Sequence, residues 1–83
     1  MKKPLRPFPL VCPGGTQLHL REEFAGQFEW CEDAQGLKQG PYRSWFSTGI
    51  YLMARGQFRD DENVGEWLIC TRFESCSTET NPD

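Results

Sequence analysis

Apolar and polar residues alternate along much of this chain, and the spacing of three to four that a helix needs is nearly absent. Thr16-Gln-Leu18-His-Leu20-Arg21 alternates, and Gly26-Gln-Phe28-Glu-Trp30-Cys31 does so with Phe28 and Trp30 on one face. Pro41 to Phe46 reads as the next strand, with Ser47-Thr48-Gly49 as a tight reversal. Ile50, Leu52, Ala54, Gly56 and Phe58 then share a face, opposite Tyr51, Met53, Arg55, Gln57 and Arg59. Asp60-Asp61-Glu62-Asn63 makes a turn, after which Gly65 opens a last strand running through Phe73. The best helix candidate, Arg21-Glu-Glu-Phe24-Ala25, is a single turn stopped by Gly26.

Turn chemistry separates these runs: Cys12-Pro-Gly-Gly15 ahead of the first, and the polar, glycine-containing segment Glu32 to Gly40 between the second and third. Strands joined in sequence order by short reversals pair antiparallel, which predicts an all-β meander of about five strands with no substantial helix. Residues 1–11, with Pro4, Pro7 and Pro9, form an extended arm; residues 12–73 form the β domain; the Ser-, Thr- and Asn-containing tail, 74–83, is expected to be disordered.

A glycine followed two positions later by an aromatic occurs five times, at Gly26/Phe28, Gly40/Tyr42, Gly49/Tyr51, Gly56/Phe58 and Gly65/Trp67. Recurrence of this kind signals stacked copies, each burying a face that it cannot bury alone. A glycine beside a large ring on the next strand leaves room for that ring to lie flat, and Gly49 is placed to supply a hairpin's positive φ. Phe28, Trp30, Tyr42, Trp45, Phe58 and Trp67 are therefore expected to be structural aromatics. A regular strand sends Tyr42 and Trp45 to opposite faces; a bulge would bring them to one side.

The ordered string Gly40-Pro-Tyr42-Arg-Ser-Trp45-Phe-Ser-Thr-Gly49-Ile50, then Gly56-Gln-Phe58-Arg-Asp-Asp61, then Gly65-Glu-Trp67 resembles the MORN-repeat variant of bacterial YwqK-type proteins. The resemblance spans residues 26–73, with one good copy and two partial ones. Cys12-Pro-Gly-Gly-Thr16 followed by Trp30-Cys31 also resembles the segment preceding such repeats in some exported bacterial members. This resemblance implies MORN-like β-hairpin repeats stacked into a binding surface, in a family whose members carry the label antitoxin.

Composition narrows the function classes. At 83 residues, with 37% apolar and 13% aromatic residues, the chain can build one small core made of rings rather than aliphatic side chains. Nine basic against 12 acidic residues give a net charge of −3, which invites neither nucleic acid nor an anionic membrane. No stretch reaches the roughly 20 apolar residues of a membrane span, so no membrane insertion is expected. Lys2, Lys3 and Arg6 precede only a proline-broken apolar stretch, which is not an intact signal peptide. That places the chain in the cytoplasm by default, or outside it if the cysteines are bonded.

Cys12, Cys31, Cys70 and Cys76 contain no Cys-x-x-Cys pair, and His19 stands alone within a strand, so neither a metal site nor a cofactor is expected. An even number of cysteines in a small domain favours disulfides, with Cys12–Cys31 and Cys70–Cys76 the preferred pairing; four free thiols stand as the equal alternative in a reducing compartment. With a single histidine and no nucleophile elbow, no catalytic residue is assigned and the chain is read as no enzyme. Asp60-Asp61-Glu62 reads as a solvated turn rather than a calcium site.

The expectation is a non-catalytic protein–protein interaction module. It would act as a small accessory or inhibitory subunit that binds another protein, or a second copy of itself, through its sheet face or edge. Tyr51, Met53 and Arg55 are the expected contact residues, being types enriched at interfaces, with Phe8 as an anchor on the arm. The alternatives are an antitoxin or immunity-type inhibitor, whose acidic turns suit a basic target, and a thiol-based metal or small-molecule-binding regulator.

Overall fold

A computed structural model describes residues 10–47, 51–71 and 75–82. The strands are β1 (Gln17–Glu23), β2 (Gly26–Glu32), β3 (Lys38–Phe46), β4 (Leu52–Arg59), β5 (Glu62–Cys70) and β6 (Cys76–Asn81). They form one six-stranded antiparallel sheet in sequence order, β1-β2-β3-β4-β5-β6. The described residues contain no helix; of the helix candidate Arg21–Ala25, Arg21–Glu23 complete β1 and Phe24-Ala25 form the turn that follows.

The sixth strand corrects the expectation of a disordered tail. Its sequence, Cys-Ser-Thr-Glu-Thr-Asn, lacks apolar alternation and so carries no strand signal. It is held instead by its neighbour, with the ladder running from Cys70↔Cys76 to Gly65↔Asn81 and a disulfide joining Cys70 to Cys76. Closing so short a loop contributes about 2 kcal/mol under the chain-entropy account, and the longer Cys12–Cys31 loop about 3 kcal/mol. No described cysteine is free.

The recurrent glycines explain themselves in the register. Gly40-Pro-Tyr42 on β3 runs antiparallel to Gly56-Gln-Phe58 on β4, so Gly40 faces Phe58 and Tyr42 faces Gly56. Each glycine lies opposite the other motif's ring. Trp67 from β5 closes the arrangement: its indole lies over Gly56 so closely that a Cβ there would collide with the ring. Tyr42, Phe58 and Trp67 meet with centroids 5.2–5.4 Å apart, Phe58 edge-on to both of the others. Edge-to-face contacts of this kind contribute beyond the area they bury.

Gly40 is required for two further reasons: its φ is +82°, and an added Cβ would come within 2.8 Å of the Pro13 ring. It sits in a register shift between β2 and β3, where Trp30 pairs with Tyr42 and Glu32 with Lys38. Pro41 falls in that shift, where a strand tolerates a residue without an N–H. The β4–β5 hairpin turns on Asp60 and Asp61, with φ of 51° and 70°. Short polar side chains tolerate that left-handed backbone. The turn docks on the start of β3: Asp60 N–H donates to Gln39 Oε1 (3.1 Å), Gln39 Nε2 to Asp60 Oδ1 (2.6 Å), and Lys38 N–H to Asp61 Oδ1 (2.7 Å).

Two features of β3 and β4 settle which side chains share a face. From Tyr42 to Trp45 the ladder with β2 is unbroken, so Tyr42 and Trp45 point to opposite faces and no bulge brings them together. In β4 the register shifts between Ser44 and Trp45, so Trp45 pairs with Leu52, where an unbroken ladder would pair it with Met53. The expected single row through Tyr51, Met53 and Arg55 is therefore interrupted at Met53. Gly49 and Ile50 lie outside the described residues.

Candidate partner-binding face

Cross-strand partners share a face, so the register divides the sheet cleanly. One side, here the ring face, carries His19, Trp30, Tyr42, Phe58 and Trp67. His19 stacks on Trp30 at 5.7 Å, and its Nε2 lies 3.6 Å from Glu32 Oε1, which gives the only histidine a structural setting. Trp30 Nε1 donates to Glu32 Oε2 at 2.6 Å. Lys38 Nζ sits 5.8 Å from the Trp30 ring centre and 5.7 Å from that of Phe58, within cation–π range. Trp67 is buried, and its indole N–H donates to the Gln57 carbonyl at 3.2 Å.

The opposite side, the arginine face, is built from Gln27, Glu29 and Cys31 of β2, Arg43 and Trp45 of β3, Arg55 of β4 and Leu68 of β5. Alternation in β2 points to Phe28 and Trp30 as its core row. The structure instead buries Gln27, Glu29 and Cys31 more deeply, with Phe28 and Trp30 half-buried. The cause is non-local: Cys12 is bonded to Cys31, which brings Leu10–Cys12 across this face. Glu29, 5% exposed, is ion-paired to Arg43 and accepts from Trp45 Nε1 at 3.4 Å. Arg43 in turn lies over the Trp45 ring at 5.7 Å. A charge this well buried needs both a counter-ion and hydrogen bonds, and Glu29 has them. No sequence motif announced this group; its one signal was a glutamate in phase with a cysteine.

Arg55 stands directly across the ladder from Arg43. Like charges in that position repel, but the Arg43 charge is already matched by Glu29. Arg55 is exposed and makes no ion pair among the described residues. It borders an open groove of about 400 Å³ whose walls include Leu10, Pro41, Arg43, Glu66 and Leu68. The groove thus has apolar walls, a guanidinium without an ion pair among the described residues, and a carboxylate.

The other expected contact residues do not converge on it. Tyr51 is 42% exposed just before β4, where its carbonyl accepts from Phe46 N–H at 2.9 Å. Met53 is half-buried, its methyl close to the place a Cβ on Gly26 would occupy. Phe8 lies outside the described residues.

The acidic turns are occupied with structure. Asp33 Oδ1 accepts from the N–H groups of Gln35 and Leu37, and Oδ2 from Gln39 Nε2. The bond from Gln39, followed by that from Leu37, holds its carboxyl below the ordinary aspartate value. Among the described residues no group of three or more His, Cys, Asp or Glu side chains could hold a metal ion, and no helix is long and apolar enough to cross a membrane. Comparison with protein-family models, with curated proteins and with solved structures gave no match, so the functional reading rests on this geometry alone.

Proposed function

We propose that this chain is a non-catalytic protein-interaction module, a MORN-like stack of hairpins that binds a partner protein on its arginine face. The observation that carries this reading is the groove beside Arg55: an open, partly apolar surface with a guanidinium that has no ion pair among the described residues. Arginine at the centre of such a surface is a frequent source of binding energy, because it combines charge, planar donors and a long apolar stem. The two bonded cysteine pairs suit an oxidising compartment, and we place the chain's site of action outside the cytoplasm on that ground. The same bonds occupy the thiolates that a thiol-based regulator would use, which weighs against that alternative.

The test is affinity capture with the oxidised chain, comparing wild type, Arg55→Glu and Tyr51→Ala as baits, each first shown to be folded by circular dichroism. A partner retained by wild type should be lost with Arg55→Glu and kept with Tyr51→Ala, because Tyr51 does not line the groove. Full retention by Arg55→Glu would remove the arginine face from the interface.

A further inference from the structure

We propose that β1 is a self-complementary edge through which two copies of this chain join their sheets into one. The strand pairs with β2 on one side only and closes a two-residue hairpin loop, Phe24-Ala25, at the Glu23↔Gly26 pair. In an antiparallel ladder alternate residues direct both backbone groups at the partner strand, and the residues between them direct theirs outward. Counting from the closing pair, Gln17, His19, Arg21 and Glu23 face β2. Leu18, Leu20 and Glu22 therefore offer their N–H and C=O groups at the free edge.

The side chains on the same residues are also uncovered. Leu18 is 42% exposed, Leu20 67%, and Phe24, at the adjoining turn, fully. Soluble proteins blunt an edge with charged side chains, proline, a bulge or a covering segment. The Gln17–Glu23 register contains no proline and no shift, and its charges, Arg21, Glu22 and Glu23, gather at the hairpin end, which leaves Gln17–Leu20 without any. The disulfide draws Cys12 onto the arginine face, towards Cys31, and Leu10 reaches the groove there, so these residues lie away from the outer side of β1. The far edge, β6, differs: its exposed residues are the disulfide-bonded Cys76 and Ser, Thr and Glu, and Pro82 follows it directly.

The occupant is a second copy because one antiparallel register satisfies every side chain. A two-fold axis through His19 sets Leu18 opposite Leu20 of the other copy and Leu20 opposite its Leu18, with Gln17 opposite Arg21. The four leucines then form one apolar row on the arginine face. The Leu18 and Leu20 peptides meet as hydrogen-bonded pairs, as the outward-directed groups require. An axis through Arg21 or Glu22 would instead oppose two like charges. One strand pair buries less than the 1,200–2,000 Å² typical of stable complexes, so association is concentration-dependent rather than obligate. The proposal is independent of the groove beside Arg55.

The experiment is sedimentation equilibrium of the oxidised chain from micromolar to millimolar concentration. Wild type and Leu20→Lys are compared, with Arg55→Glu as a control on the other interface. Wild type and Arg55→Glu should pass from monomer to dimer, while Leu20→Lys should lose about tenfold or more in association constant. Leu20 is exposed, so that variant keeps its fold, as circular dichroism can verify. A second readout fixes the register: His19→Cys should cross-link two copies on mild oxidation, whereas Glu23→Cys should not. A monomer at every concentration, a dimer indifferent to Leu20→Lys, or cross-linking at position 23 in place of 19 would each overturn the proposal.

Discussion

On the ring face, Trp67 lies flat over Gly56 with Tyr42 and Phe58 against it; on the arginine face, Glu29 is sunk against Arg43 and Trp45 beneath the residues tethered by Cys12–Cys31. Both lie on the same single sheet, and no helix among the described residues covers either of them. The ring face is buried by shape: large flat groups fill the space that a missing Cβ leaves. The arginine face is buried by charge pairing and a covalent tether, with Leu10 and Arg55 lining one open groove. A sheet one layer thick can therefore bury side chains on both sides, and the arginine face carries, beside its groove, an arginine that makes no ion pair among the described residues.

The largest effect expected from breaking this comparison lies on the ring face. Trp67→Ala should cost about 3–5 kcal/mol, the range for deleting a buried large aromatic. Gly56→Val should be of similar severity, because its side chain must displace the same ring. Against a total stability of about 5–15 kcal/mol, either change should lower Tm steeply in thermal unfolding followed by tryptophan fluorescence. An unchanged Tm for Gly56→Val would mean that the ring does not rest on the glycine.

The arginine face should respond to single and paired changes differently. Glu29→Ala leaves the half-buried Arg43 without its Glu29 counter-ion and should cost about 3 kcal/mol. The pair Glu29→Leu with Arg43→Met removes both charges and should recover most of that loss. Urea unfolding of the single and double variants reads the coupling directly. Additive losses would show that the ion pair is not what holds this side together.

The smallest effect has the opposite sign. Ser44 is 1% exposed between its ladder partners Phe28 and Ala54, and its hydroxyl has no hydrogen-bond partner among the described residues. Replacing a buried, unsatisfied hydroxyl with a methyl relieves its desolvation cost, so Ser44→Ala should raise stability by about 1 kcal/mol. A destabilised variant in the same urea titration would reveal a hydroxyl that is bonded after all.

Much of the sheet was legible in the chain. Five strands follow from alternation interrupted by turn residues, and the Gly-x-aromatic recurrence marks where rings need space. What alternation cannot show is which of a strand's two rows will be covered. In β2 it points to Phe28 and Trp30, yet Gln27, Glu29 and Cys31 lie deeper. In β4 it implies one continuous row, yet the shift at Met53 interrupts it. β6 was hidden altogether, since a polar strand held by its neighbour and a disulfide has no periodicity of its own.

By itself, then, the sequence determined the all-β class, the strand order, and the pairing of small with large residues that lets rings lie on a sheet. These are local properties: the two-residue repeat, the turn formers and the absent Cβ of glycine act within a few positions of the chain. Only the tertiary structure decided that Glu29 would be buried against Arg43 and that Arg55 would have no ion pair among the described residues. Those outcomes depend on which distant segments meet, and here a disulfide across the sheet and the order of six strands set them.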